Sequence, residues 1–226
     1  MPIIECGLGK LANKKIETLF KIENIKKENS NYRVIDLGGG KEKHYPNKFS
    51  FFDAIVDFRK VEGYPQLQSI VGSLEHESTY EELLKDVEKN GKYNFSICTH
   101  TLEDLNNPLF VINKLFQISK SGLISVPSKY LETSYIESNY RGYYHHRYII
   151  TLKDSSLFFI PKTTILENSK FNKISEKHNE QNSELWLIWE ENIKSSVYQD
   201  GWCGPSSKNF LENTYSLLLN GEEDFK

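Results

Sequence analysis

The stretch Tyr32-Arg33-Val34-Ile35-Asp36-Leu37-Gly38-Gly39-Gly40 constrains the fold of this chain more than any other. Val34 and Ile35 read as a short buried strand. Asp36 stands at its end, and three glycines follow. Glycine lets the backbone turn with φ > 0 and lets a ligand approach closely. In α/β proteins, ligands bind just beyond the carboxyl ends of the strands. An apolar strand closed by an acid and a glycine loop is therefore a candidate nucleotide or cofactor cradle. The competing reading is a plain glycine-rich turn.

A second acid favours the cradle. Phe51 to Phe58 places a second buried strand over Ala54 to Val56, with Asp57 at its end, about twenty residues after the glycine loop. In a doubly wound sheet, an acid at that point accepts hydrogen bonds from the ribose hydroxyls of a nucleotide. Taken alone, Asp57 reads equally well as a solvated strand-end acid. Gln68 to Leu74 follows as a short third strand ending at Gly72-Ser73. Ser78-Thr79-Tyr80-Glu81 has capping-box spacing, and Tyr80, Leu83, Leu84 and Val87 form a helical stripe that Asn90-Gly91 stops. Phe95 to Cys98 is a fourth strand. Asn107-Pro108 opens another helix, and Leu123 to Pro127 is a fifth strand. This alternation predicts an α/β fold: a Rossmann-like, mostly parallel central sheet of about seven strands with helices on both faces.

The flanks read differently. Residues 1–13 form an irregular lead-in, and Lys14 to Asn29 carries Ile16, Leu19, Phe20 and Ile25 at helical spacing. Beyond Pro127 the chain is polar and aromatic up to Arg147. Leu157 to Pro161 and Glu184 to Glu190 read as late strands, and Phe210 to Leu219 as a closing helix. We read residues 1–226 as one domain. Residues 1–30 are a helical lead-in, 32–128 a cofactor-binding core, and 129–226 a substrate-side insertion with closing strands.

Composition narrows the classes of function. The 28 Lys+Arg against 31 Asp+Glu leave a net charge of -3, which argues against a dominant nucleic-acid-binding face. Cys6, Cys98 and Cys203 form no CxxC pair, so neither a zinc knuckle nor a disulfide framework is indicated, and a reducing cytoplasm fits. The N-terminus lacks the apolar core of a signal peptide. Mean hydropathy is -0.54, and no apolar run is long enough to cross a bilayer.

With the five strands placed, the chain resembles the class I S-adenosylmethionine-dependent methyltransferases. Val34-Ile35-Asp36-Leu37-Gly38-Gly39-Gly40 is similar to the family's first motif, an acid-x-Gly-x-Gly turn that holds the methionine part of the cofactor. Ile55-Val56-Asp57 resembles the second-strand acid that binds the ribose. Ile97-Cys98-Thr99-His100-Thr101-Leu102-Glu103-Asp104-Leu105, followed by a helix and Ile124-Ser125-Val126-Pro127, resembles the later run in which a strand ends beside the cofactor. The likeness covers roughly residues 32–128. It implies S-adenosylmethionine as cofactor, held by Asp36, Gly38, Gly39, Gly40, Asp57, Ser73, Leu74, Thr99 and His100. Two departures stand out. Glu42 replaces a frequent third glycine, and the third strand ends in Gly72-Ser73-Leu74 where an acid commonly meets the adenine, leaving Ser73 as the polar contact.

The acceptor side has its own cluster, Tyr140-Arg141-Gly142-Tyr143-Tyr144-His145-His146-Arg147. Following the fifth strand, it is placed to fold over the carboxyl edge of the sheet. His145 or His146 suits a general base near neutral pH, in preference to His100. Arg141 and Arg147 suit an anionic group, and Tyr140 and Tyr144 suit stacking or hydrogen bonding to a sugar or base. The competing reading is an amphipathic hairpin with a solvated polar face. These features together lead us to expect O-methylation of a small, polar, anionic acceptor: a sugar, a nucleotide-linked or a phosphate-bearing metabolite. Oligomeric state stays open, a homodimer included.

Three rivals remain. In a nicotinamide dehydrogenase fingerprint, Lys43 would occupy the third glycine position. A metal enzyme would need His100, Glu103, Asp104, His145 and His146 to converge, yet no histidine pair has i, i+4 spacing, and adjacent histidines on a strand point to opposite faces. No metal is therefore expected. A non-catalytic binding module is opposed by the intact Asp36, Gly38, Gly40 and Asp57.

Overall fold

The computed structural model describes residues 3–10, 12–39, 51–62, 67–137, 139–171, 178–201 and 206–220. In chain order the elements are β1 (Ile3–Leu8), α1 (Asn13–Glu28), β2 (Val34–Leu37), β3 (Ala54–Asp57), β4 (Gln68–Val71), α2 (Glu77–Asn90), β5 (Phe95–Thr99), α3 (Pro108–Ile118) and β6 (Ser121–Pro127). They continue with α4 (Lys129–Glu132), β7 (Tyr135–Glu137), β8 (Tyr140–Arg141), β9 (Tyr148–Lys153), β10 (Ser156–Pro161), β11 (Glu184–Glu190), β12 (Lys194–Val197) and α5 (Lys208–Leu219).

Seven strands form one sheet in the order β1-β11-β6-β5-β2-β3-β4. The five strands from β2 to β6 run parallel, in the doubly wound order in which each half grows outward from the first strand. The point where that order reverses lies between β2 and β5, beside the glycine turn. β11 closes the sheet antiparallel to β6, and β1 pairs antiparallel with β11 at the far edge. The architecture is the Rossmann-like α/β fold.

Alternating side chains divide the strands between two cores. Val34, Ile55, Ile97, Leu123 and Trp186 point to one face and pack with Ile22 of α1. Ile35, Val56, Cys98, Ile124 and Leu187 point to the other and pack with Tyr80 and Leu83 of α2 and with Val111, Ile112 and Leu115 of α3. A second sheet, in the order β12-β10-β9, covers that face with Ile150, Leu157 and Phe159. It buries Ile149 and Ile160 on its other side under Leu211, Tyr215 and Leu218 of α5.

Three sequence expectations are corrected. The lead-in at residues 3–8 is a strand, because its backbone completes the ladder of β11. In α1, Phe20 is 60% exposed, while Lys15 and Ile22 are the buried residues. Lys15 can be buried because it meets the Glu184 carboxylate. The capping-box residues lie inside the first turn of α2, which starts at Glu77 with His76 before it, and Thr79 Oγ1 donates to the Ser73 carbonyl instead. By contrast, α3 starts as expected: Asn107 accepts from the Phe110 N–H, and Pro108 takes the first helical position.

Candidate functional site

The glycine turn at the end of β2 is shaped by contacts that no side chain fits. Asp36 is fully buried. Gly38 has φ +76° and donates to the Val56 carbonyl at 2.8 Å. A Cβ on Gly38 would stand 2.5 Å from Thr101 Oγ1, and one on Gly39 would overlap the Asp36 carboxylate. The turn is therefore backbone wrapped tightly over a buried acid, a shape that only glycine allows there. Gly40, Glu42 and Lys43 lie outside the described residues.

The neighbouring strand ends carry the other expected cofactor residues. Asp57 is partly exposed at the end of β3, where Oδ1 accepts from the Arg59 N–H at 3.0 Å. The Ser73 hydroxyl accepts from the Glu75 N–H at 3.2 Å, so it also shapes its own turn. Leu74 is 5% exposed and packs in the α2–α3 core. Thr99 is buried, and its carbonyl accepts from Thr101 Oγ1 at 3.0 Å.

His100 turns the chain out of β5 with φ +48°, a backbone conformation rare for a non-glycine residue and one that costs strain. Its N–H donates to the Ser125 carbonyl at 2.8 Å, and its Nε2 lies 2.9 Å from Glu184 Oε2. Glu184 also pairs with Lys15 and accepts from Ser125 Oγ. Burial alone would raise the Glu184 carboxyl, but His100 and Lys15 outweigh it and hold it below the ordinary carboxylate range.

The histidine cluster sits beside this network. Residues 142–147 form a turn between β8 and β9 rather than a strand, so the two adjacent histidines do not alternate: their ring centroids are 4.5 Å apart. His146 Nδ1 lies 2.5 Å from Oε1 of the fully buried Glu132. Lys162 Nζ meets the other Glu132 oxygen at 2.8 Å and the Tyr143 carbonyl at 2.7 Å. A carboxylate oxygen can only accept, so opposite the Glu132 carboxylate His146 Nδ1 is the donor, and Nε2 is the ring nitrogen turned towards Asp104. That atom is 3.8 Å from Asp104 Oδ1, and His145 Nε2 is 4.0 Å from the same oxygen. The Arg147 N–H donates to the Glu103 carbonyl at 2.7 Å, clamping the turn against the end of β5.

Asp104, His145 and His146 line a cavity of about 780 Å³ beyond the carboxyl ends of β5 and β6, together with His100, Glu103 and Glu184. Glu103 is 1% exposed. Burial pushes its carboxyl well above the ordinary range, and the charges of Asp104 and Glu132 add to the shift. The Asp104 carboxyl is raised as well, by burial, against the pull of His146 and His145.

The structure brings His100, His145 and His146 to one cavity, and Tyr144, His145, His146 and Arg147 to an adjoining one of about 590 Å³. Tyr140, Tyr144 and Arg147 are exposed. Arg141, expected to bind substrate, is fully buried: its guanidinium donates to the Thr133 carbonyl and stacks 4.6 Å from the Tyr135 ring centroid. It holds up the wall beneath the histidine turn. Sequence reasoning missed Glu132, Lys162, Lys15 and Glu184. Nothing local marks them, since each is a single charged residue whose partners come from other segments of the chain.

No family model matches the chain, and no curated protein is similar to it. Among solved structures it resembles the methyltransferase domain of bacterial CtHen1-C, at 13% identity and TM-score 0.40, over 80% of this chain and 100% of that one. It also resembles the N-terminal domain of EvdMO1, crystallised in the presence of SAH and D-fucose, at 10% identity and TM-score 0.37, over 75% and 82%. A third is the MycE methyltransferase of the mycinamycin biosynthetic pathway in complex with Mg and SAH, at 10% identity and TM-score 0.36, over 88% and 55%. Similarity at this level transfers no activity to the chain. The sheet order and the glycine turn define it, on their own evidence, as a Rossmann-like α/β protein.

Proposed function

We propose that the chain is an S-adenosylmethionine-dependent methyltransferase that O-methylates a small, polar, anionic acceptor: a sugar, a nucleotide-linked or a phosphate-bearing metabolite. The observation that carries this reading is the tight turn at Gly38 and Gly39, where a Cβ would overlap Thr101 and the Asp36 carboxylate, with Asp57 two strand ends away from β5 in the same sheet. The residues fit the cofactor. A glycine turn allows close approach of a ligand, the buried Asp36 suits an ammonium, and Asp57 suits a vicinal diol.

S-adenosylmethionine supplies an activated methyl group, so the chain's own residues need only bind, align and manage one proton. Asp36, Gly38, Gly39 and Asp57, with Ser73, Thr99 and His100 along the strand ends, hold the donor. His145 or His146 receives the acceptor's hydroxyl proton, with His146 oriented by Glu132. Arg147, Tyr140 and Tyr144 face the acceptor's anionic and apolar parts, while Arg141 supports their turn from below.

Calorimetry of the full chain with S-adenosylhomocysteine tests the cofactor assignment, with one saturable site expected. A screen of hydroxylated anionic metabolites then tests the acceptor. Absence of any heat with either S-adenosylmethionine or its demethylated product removes the reading.

A further inference from the structure

His145 and His146 on their turn and Asp104 from the segment after β5 bring three electron-pair donors together. His146 Nε2 and His145 Nε2 lie 3.8 and 4.0 Å from Asp104 Oδ1, and one donor atom from each of the three residues falls within 4.8 Å of the others. Those separations are just under twice a metal–ligand bond of ~2.1 Å, so a single ion reaches both ends of each pair with little movement. The histidines converge because they sit on a turn, which removes the strand-alternation objection to a metal.

Two further observations point to a cation. The first is Glu103, 1% exposed and lining the same cavity. Neither of its carboxyl oxygens has a hydrogen bond of ordinary geometry, and His100 Nδ1 stands 3.7 Å away. A buried acid left in that state is stabilised by positive charge nearby. The second is the carboxylate behind His146. Glu132 Oε1 faces Nδ1 as the acceptor of its N–H and leaves Nε2 turned towards Asp104, an outer-sphere arrangement common to metal-bound histidines.

We propose that Asp104, His145 and His146 bind a divalent first-row transition-metal ion at the acceptor edge of the cavity, with Glu103 and Glu132 as outer carboxylates. Two imidazoles and one carboxylate suit Mn²⁺, Co²⁺ or Zn²⁺ better than Mg²⁺, which favours an all-oxygen shell. The location rests on the methyltransferase reading only for its use. There, a bound ion polarises an acceptor hydroxyl whose proton passes to water, in place of a free imidazole base. Binding itself needs neither methyl donor nor acceptor.

The test is a titration of chelator-treated full-length protein with Co²⁺, followed by its visible d–d absorption. One saturable equivalent with an imidazole-type spectrum is expected. His145→Ala and Asp104→Asn, both at exposed positions, should each weaken it by at least about tenfold, while Tyr144→Phe should leave it unchanged. Melting curves show whether the variants are folded. No saturable band up to about 1 mM Co²⁺, or equal affinity in wild type and both folded variants, overturns the site. Protein that binds S-adenosylhomocysteine but no Co²⁺ keeps the methyltransferase reading and loses this one. The opposite result does the reverse.

Discussion

The two ends of the proposed active site are built by opposite means. The donor end is backbone: a turn over Asp36 in which Gly38 and Gly39 leave no room for a side chain. The acceptor end is side chain: His100, Glu103, Asp104, Glu132, His145, His146 and Glu184 come from four separated segments of the chain. Backbone shape is dictated by what each residue lacks, and it survives as a contiguous pattern. Side-chain convergence depends on where separate segments land, and on charges that neutralise one another once buried. In the proposed function the turn holds the invariant methyl donor, and the cavity, with raised carboxyls at Glu103 and Asp104 and a depressed one at Glu184, carries the chemistry and the specificity.

Substitutions at each end sharpen this contrast. The largest effect is expected at the turn, where Gly39→Ala forces a methyl group into the Asp36 carboxylate. Calorimetry with S-adenosylhomocysteine should then show no measurable binding. A normal affinity would mean that the turn is not the donor cradle. At the other end, His146→Ala should leave cofactor affinity intact and lower turnover by about 10²–10⁴-fold, the range for loss of a proton-handling group. If both parameters fall together, the two ends are not separable.

Next in size is the network that joins them. Glu184→Gln breaks a buried pair with Lys15 and His100, and should lower stability by about 3 kcal/mol at neutral pH. The Glu184 carboxyl is held below its ordinary value of 4.5, so the unfolded chain takes up its proton first as pH falls. The stabilisation is complete above that value and is lost as pH drops through the lower folded-state value. Chemical denaturation of wild type and variant should therefore converge on acidification; a gap that widens would contradict the assignment. The smallest effect belongs to Asp57→Ala. Losing a charge-assisted hydrogen bond to the ribose costs roughly 1.5–3 kcal/mol, about ten- to a hundredfold in cofactor affinity, with acceptor KM unchanged.

How legible each part was follows from these same causes. β2, β3, β5, β6 and α3 could be read from short apolar runs, a proline at the first turn and a preceding Asn cap, all local signals. β1 could not, because residues 3–8 carry no strong strand pattern and owe their conformation to the open edge of β11. The face of α1 was misread for a related reason: the ion pair of Lys15 with Glu184 turns a lysine inward and leaves Phe20 outside. In the acceptor cluster, the run of Tyr, Arg and His marked the right segment. Its assignment of Arg141 to the substrate missed that Thr133 and Tyr135 enclose the guanidinium.

By itself the sequence determined the parallel core and its glycine turn, because strand periodicity and the absence of Cβ atoms are properties of consecutive residues. Only the tertiary structure decided which charges meet. The pairing of Glu132 with His146 and Lys162, of Glu184 with Lys15 and His100, and of Asp104 with two histidines on a turn depends on segments distant in the chain. A charge reveals its partner only when folding has removed the water between them.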